Sequence, residues 1–95
     1  MSCLVGTMLD LQYSTQFKRD LKTLEKRRYK MDLLKDAVKI LRIPAPLPPE
    51  YRDHPLSGNY AAYRDCHITG DWLLVYRYAG DLLYLYRSGT HSDLF

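Results

Sequence analysis

Three histidines, one aspartate and one arginine in the second half of this chain are its candidates for chemistry. They are His54, His67, Asp71, Arg87 and His91. A histidine, with an ordinary pKa of about 6.5, can give or take a proton close to neutral pH, which makes it the commonest general acid or base. These residue types therefore favour proton-transfer chemistry.

The same residues raise the alternative of a zinc site, because three histidines and Asp71 could supply four ligands. Structural zinc sites usually pair ligands within a few residues, and here only His67 and Asp71 are that close. The spacing argues against a metal, and we expect no cofactor. The sequence also lacks a Gly-rich phosphate loop, a nucleophile elbow and an HExxH motif, which argues against nucleotide-dependent enzymes.

RNA cleavage needs the groups that remain, and it needs no metal. The 2′-hydroxyl must lose a proton, the departing 5′-oxygen must gain one, and the doubly negative phosphorane must meet positive charge. Trp72, Phe95 or one of the nine tyrosines could stack an unpaired base, although most of these aromatics are expected in the core. Single histidines are usually structural, so a role without catalysis stays open at this point.

Basic charge is concentrated in one part of the chain. Residues 17–42 hold ten Lys or Arg and four Asp or Glu, a net charge of +6, whereas the remainder carries −3. Such a concentration is expected of a nucleic-acid binder, and a merely solvated helix surface is the alternative.

The elements that must position these residues follow from the periodicity of the apolar positions. Alternation over residues 9–13 predicts a short strand, and Ser14 is a candidate N-cap for the helix after it. Helical spacing predicts one amphipathic helix to about Arg28 and a second from about Lys30 to Ile43. The proline-rich segment 44–49 is interpreted as an ordered connector rather than an SH3 or WW ligand.

Three strands are predicted after the connector. Residues 63–68, 72–78 and 82–88 are rich in aromatic and aliphatic side chains and are separated by turn sequences, which predicts an antiparallel meander. The fold class is therefore α+β, of order βααβββ, with the N-terminal strand and a helical hairpin packed on one face of a small antiparallel sheet and the other face open. We expect residues 1–95 to form a single domain.

Cysteine use and the N-terminus predict a compartment. Cys3 and Cys66 can form at most one bridge, and neither has a second cysteine at a metal-binding spacing, which favours a reducing cytoplasm. The first residues lack a basic leader and a cleavage site, and no segment approaches ~18 uninterrupted apolar residues. We expect a cytoplasmic protein without a membrane.

Four blocks of the second half resemble one family. They are Asp53-His-Pro-Leu56 followed by Gly58, Tyr63-Arg-Asp-Cys-His67, Asp71-Trp-Leu-Leu-Val-Tyr76, and Arg87-Ser-Gly-Thr-His-Ser-Asp-Leu-Phe95. In this order they resemble the YafQ branch of the RelE superfamily, the toxin halves of bacterial type II toxin–antitoxin pairs. The resemblance covers about residues 9–95, so Met1–Thr7 is interpreted as a short N-terminal extension. The C-terminal block is its most specific part.

The resemblance implies a compact α+β ribonuclease that enters the ribosomal acceptor site, cuts messenger RNA without a metal, and is inhibited by a cognate antitoxin. Placed on this sequence, the family's active site comprises His54, His67, Asp71, Trp72, Arg87, His91 and Phe95.

The same resemblance suggests a role for each of these residues. His91 is the expected general acid, and either Asp71 or His67 acts as, or orients, the general base. Arg87 is expected to stabilise the phosphorane, and His54 to support the scissile phosphate. Trp72 and Phe95 are expected to bind substrate, by stacking on the nucleotide or by shaping its pocket.

The expected partners are the antitoxin, the ribosome with its messenger RNA, and promoter DNA bound by a toxin–antitoxin hetero-oligomer. Two other functions stay open, a ribosome-independent ribonuclease and a module that binds RNA or antitoxin without catalysis. Arg64 and Asp65 are adjacent on a predicted strand and so point to opposite faces, and both are interpreted as structural.

Overall fold

A computed structural model describes residues 8–94 of the chain. The predicted extension Met1–Thr7, which includes Cys3, and the predicted substrate-binding residue Phe95 lie outside the described residues. The strands are β1 (Asp10–Tyr13), β2 (His54–Pro55), β3 (Arg64–Thr69), β4 (Trp72–Ala79) and β5 (Leu82–Thr90). The helices are α1 (Thr15–Lys26), α2 (Met31–Arg42) and α3 (His91–Leu94), and two 3₁₀ turns cover Pro49–Tyr51 and Gly58–Tyr60.

The five strands form one sheet in the order β1-β5-β4-β3-β2. The predicted meander of β3, β4 and β5 is confirmed as antiparallel, and β2 extends it on the β3 side. The sheet is nevertheless mixed, because β1 lies beside β5 in parallel rather than packing on a purely antiparallel sheet. Parallel neighbours need a crossover connection, and here α1 and α2 begin that long crossover.

Both long helices form where the periodicity predicts them. Ser14 is the N-cap of α1, since its Oγ accepts a 2.8 Å hydrogen bond from the amide of Phe17. The same hydroxyl donates to the carbonyl of Tyr86 at 2.6 Å, so the start of α1 is fixed to β5.

The core lies between the two helices and one face of the sheet. Each helix buries one apolar stripe against alternate residues of β3, β4 and β5. The buried cluster comprises Phe17, Leu24, Leu34, Ala37, Leu41, Cys66, Ile68, Trp72, Leu74, Tyr76, Leu83 and Leu85. The predicted α+β class with helices on one face is confirmed.

The opposite face of the sheet is less open than its sequence suggests. Leu73 and Val75 alternate with the core residues of β4 and are also buried. Tyr60, from the 3₁₀ turn, lines a small hollow with Val75 on this face. Within residues 8–94, no helix is both long and apolar enough to cross a membrane.

Candidate active site

The candidate site is built on the face of the sheet opposite α1 and α2. The strand register places His54 opposite Asp65, and Asp65 opposite Val75. Opposite residues of an antiparallel pair share a face, and residues two apart on one strand do so as well. His67, two residues beyond Asp65, therefore joins the same surface, and its ring centroid lies 6.5 Å from that of His54.

His54 is held between a carbonyl and a carboxylate. Its Nδ1 lies 2.8 Å from the carbonyl oxygen of Arg52, and its Nε2 lies 3.1 Å from Oδ1 of Asp65. A carbonyl only accepts, so Nδ1 must carry a proton, and a neutral ring would then present a lone pair to the carboxylate. The two side chains are therefore in close contact, and a protonated His54 ring would make this contact an ion pair.

Asp65 is the buried member of this pair, with 3% of its surface exposed. Burial raises the pKa of its carboxyl above the ordinary value of 3.8, while the charges of His54, His67 and His91 act to lower it. Among the described residues no donor forms a hydrogen bond with its Oδ1, although Nε2 of His54 lies 3.1 Å away. The three histidines are thus electrostatically linked through one buried carboxylate.

His91 lies beside Asp71, with 3.4 Å between Nδ1 of the histidine and Oδ1 of the aspartate. The topology brings them together, because Trp72, next to Asp71 in the β3–β4 turn, pairs with Thr90, next to His91. Both side chains are more than half exposed, at 61% and 63%. This pair forms the open rim of the site, whereas Asp65 lies at its base.

The short helix α3, which carries His91, is held by Asp93. The Asp93 carboxylate accepts from the amide of Thr90 at 3.1 Å, and the Asp93 amide donates back to the Thr90 hydroxyl at 3.3 Å, as in a capping box. Arg27, the C-cap residue of α1, donates to the same carboxylate at 2.8 Å, and these contacts hold the pKa of Asp93 below its usual range. Gly89 permits this approach, because an added Cβ would lie 3.0 Å from the Cβ of Asp93.

Arg87 is anchored to α1. Its Nε donates to Asp20 at 2.9 Å and its Nη2 at 3.3 Å, while the same carboxylate also accepts from the amide of Ser88. These hydrogen bonds raise the pKa of Arg87 and orient its guanidinium. Arg87, the predicted cation of the site, is therefore fixed in place, but the carboxylate of Asp20 offsets part of its positive charge.

Trp72 does not reach the site. Only 2% of its surface is exposed, its Nε1 donates to the Ser88 hydroxyl at 2.9 Å, and its ring packs edge-on against Tyr29 at 5.0 Å. A buried indole on the helix-covered face offers no surface to a nucleotide base. The burial therefore disfavours stacking by Trp72, whereas its predicted role in shaping the nucleotide pocket stays a prediction.

Asp65 is the residue that sequence reasoning missed. The sequence suggests a structural role for it and for Arg64, and Arg64 does have a structural contact, a 3.2 Å ion pair with Asp53. The two adjacent residues do not pair with each other, as expected. The signal available in the sequence is the i, i+2 spacing of Asp65 and His67, which places both side chains on one strand face.

Comparison with known proteins gives close relatives over most of the chain. The mRNA interferase toxin YafQ of Escherichia coli K12 is 42% identical over 87 residues, which are 90% of this chain and 95% of that protein. The toxin–antitoxin complex DinJ–YafQ of E. coli contains a chain that is 42% identical, with a TM-score of 0.85 over 93% of this chain and 98% of that one. A metal-bound toxin from Helicobacter pylori is 42% identical, with a TM-score of 0.87 over 93% and 100% of the two chains.

The H. pylori structure raises the question of a metal in this chain. Among residues 8–94, no group of three or more His, Cys, Asp or Glu side chains is arranged to hold a metal ion. No step of the proposed mechanism is assigned to a metal ion.

The fold, the site and these relatives define the chain as an endoribonuclease toxin of a type II toxin–antitoxin system. Residues 9–95 match the family described as "Bacterial toxin of type II toxin-antitoxin system, YafQ". The chain belongs to this YafQ family.

Proposed function

We propose that this toxin cleaves messenger RNA in the acceptor site of the ribosome by acid–base catalysis without a metal. The observation that carries the proposal is the arrangement of His54 and His67 beside the buried carboxylate of Asp65 on one face of the sheet, with His91 and Asp71 in contact at its rim. Transfer of the 2′-hydroxyl proton, protonation of the 5′-oxygen and charge stabilisation each need a separate group.

His91 is the general acid in this mechanism. Its Nδ1 lies 3.4 Å from the carboxylate of Asp71. Asp71 then orients the acid. His67, which has no carboxylate of its own at this distance within residues 8–94, becomes the general base.

His54 and Arg87 supply positive charge. The His54 ring, whose Nε2 lies 3.1 Å from Asp65, is proposed to carry positive charge beside the scissile phosphate. Arg87, fixed by Asp20, presents the remaining edge of its guanidinium to the phosphorane. Phe95 follows directly on α3 in the chain and is proposed to bind the nucleotide.

Dependence on the ribosome is supported by the exposure of the acid. His91 and Asp71 lie at an open rim, where water screens the charge between them. Docking on the ribosome would exclude this water and present the messenger RNA in the required geometry. Free RNA would lack both effects.

The test is cleavage of one messenger RNA in programmed ribosomes and free in solution, at equal concentrations. We expect cuts at the codon in the acceptor site and at least a hundredfold slower cleavage of free RNA, within the 10²–10⁴ that one positioned proton-transfer group supplies. Equal rates would support a ribosome-independent ribonuclease, and no cleavage in either sample would support a binding module.

We also propose that a cognate antitoxin inhibits this toxin, as a partner of an assembly able to bind promoter DNA. The support is the complex of the E. coli relative with DinJ. Addition of the protein encoded beside this gene should abolish cleavage and give a stable complex in size-exclusion chromatography. A toxin that stays active with excess antitoxin would contradict the proposal.

A further inference from the structure

A cluster of four tyrosines lies on the same sheet face as the candidate site. Its members are Tyr60, Tyr63, Tyr84 and Tyr86, which we call the tyrosine cluster. The ring centroids of Tyr63 and Tyr86 are 4.7 Å apart, and Tyr60 lies 6.2 Å from each of them. Tyr84 continues the cluster at 6.3 Å from Tyr86, so the four rings form one aromatic surface.

The register places this cluster next to the acid–base residues. Arg77 of β4 is opposite Tyr84, and Val75, two residues earlier on the same face, is opposite Asp65. Two residues along a strand span about 7 Å. A small hollow lies between the cluster and Arg87, the cation of the site. It is lined by Tyr60, Val75, Tyr86, Arg87 and Leu94.

Positive charge accompanies the aromatic rings. The guanidinium carbon of Arg77 lies 5.7 Å from the centre of the Tyr63 ring, within cation–π range. Within residues 8–94 Arg77 forms no ion pair, and its buried Nε has no hydrogen-bond acceptor. The charge is therefore available to an anion that lies across the cluster.

Aromatic rings beside uncompensated arginine are the composition of a surface that binds single-stranded nucleic acid, in which bases stack and phosphates meet the cations. An apolar protein segment would satisfy the rings but would leave Arg77 unpaired. Continuity with the acid–base residues also favours the substrate over a second partner.

We propose that the tyrosine cluster binds unpaired bases of the RNA next to the cleaved phosphodiester, with Tyr60 as the exposed stacking ring and Arg77 facing a phosphate. This proposal rests on the proposed function for the identity of the substrate. It assigns to the cluster a sequence-tolerant binding role, because every base has a face to stack.

The direct test is binding of a single-stranded oligodeoxynucleotide that carries 2-aminopurine. This probe offers bases to stack but lacks the 2′-hydroxyl, so it is not cleaved, and stacking quenches its fluorescence. Tyr60→Leu should bind roughly 5- to 100-fold more weakly than wild type and lose the quenching. Tyr60→Phe, which keeps the ring, should restore most of the affinity.

Tyr13→Leu is the matched control. Tyr13 is as exposed as Tyr60, at 41% against 39%, but it stacks on Phe17 outside the cluster. This variant should bind the probe like wild type. Equal thermal unfolding of both leucine variants would show that any difference in affinity is local.

Two results would overturn the proposal. If Tyr60→Leu binds the probe with wild-type affinity, the rings only cover the sheet. If Tyr60→Leu loses antitoxin binding but binds the probe normally, the surface is a binding site for the antitoxin. In programmed ribosomes, Tyr60→Leu should raise KM and keep kcat. If the wild-type toxin does not cleave, the proposed function is contradicted. Binding of the probe then decides by itself whether the tyrosine cluster binds nucleic acid.

Discussion

The burial of Asp65 has consequences that single substitutions can measure. Because the pKa of Asp65 is raised in the folded chain, the protonated carboxyl stabilises the fold relative to the ionised carboxylate. This stabilisation is complete below pH 3.8, the ordinary pKa of the group, and is lost as pH rises. The asparagine of Asp65→Asn cannot ionise, so this variant does not lose stability as pH rises. Its amide can also donate to a neutral His54, which removes the cationic character proposed for that ring.

We therefore predict that Asp65→Asn is more stable than wild type at pH 7, with a gain that shrinks towards pH 3, while cleavage falls at least tenfold. Urea unfolding followed by the fluorescence of Trp72, the single tryptophan, measures the stability at each pH. A difference in unfolding free energy that is constant with pH would contradict the raised pKa of Asp65.

For Trp72 we predict a loss of stability with little change in activity. Trp72→Phe removes the hydrogen bond to Ser88 and part of a buried side chain, so it should lower the unfolding free energy by about 1–3 kcal/mol. The cleavage rate of the folded variant should stay within about threefold of wild type, a change too small for the removal of a base-stacking ring. Circular dichroism gives the stability. A hundredfold loss of activity with unchanged stability would return Trp72 to the substrate site.

At the scale of elements, the position of His91 depends on the contacts of α3. Four residues are too few to form a stable helix alone, so α3 depends on Thr90, Asp93 and Arg27. Asp93→Ala removes these contacts and frees the acid from its position.

We predict that Asp93→Ala and Gly89→Ala each lower kcat about five- to tenfold, the population change that ~1 kcal/mol produces. Ser92→Ala, an exposed position on the same helix, is the control and should keep wild-type kcat. The rates are measured in programmed ribosomes at saturating toxin. Full activity of both α3 variants would show that this helix needs no support.

The elements also show what the sequence can predict. Both helices and the three-stranded meander have periodic patterns of their own, and these patterns predict them within a few residues. The parallel pairing of β1 with β5 joins residues some 70 positions apart, and no local pattern encodes it. The two-residue strand β2 is too short for any periodicity, and β2 is what places His54 beside Asp65.

The candidate site is predictable to a similar extent. The titratable residues can be named from their types and from the family resemblance, but their partners cannot. The contacts of Arg87 with Asp20 and of Asp93 with Arg27 join the second half to α1, across more than 60 residues. The burial of Trp72 also depends on packing by α1 and α2, which an aromatic residue in a strand does not reveal.

At the scale of the whole molecule, charge is divided between two surfaces. Nine of the ten basic residues of segment 17–42 are exposed, whereas the acid–base groups lie on the opposite face of the sheet. Such a division suits a protein that binds ribosomal RNA with its helices and substrate with the other face. Phosphate binding by the helices makes affinity fall steeply with salt.

We predict that the triple substitution of Lys18, Lys22 and Lys26 by Gln reduces the salt dependence of ribosome binding. The slope of log affinity against log salt should decrease by about one for each phosphate that the variant no longer binds, so by up to about three. Titration at several salt concentrations measures the slope, and kcat at saturation, which should not change, is the control. An unaltered slope would mean that the helix surface is merely solvated.

The most direct test of the proposed mechanism is a map of the cuts in messenger RNA on programmed ribosomes, with wild type and His91→Gln. Glutamine keeps a polar side chain of similar length but cannot transfer a proton. We predict cuts at the acceptor-site codon that slow by roughly 10²–10⁴ in the variant, with unchanged ribosome affinity. Cleavage by His91→Gln at the wild-type rate would contradict the assignment of His91 as the general acid.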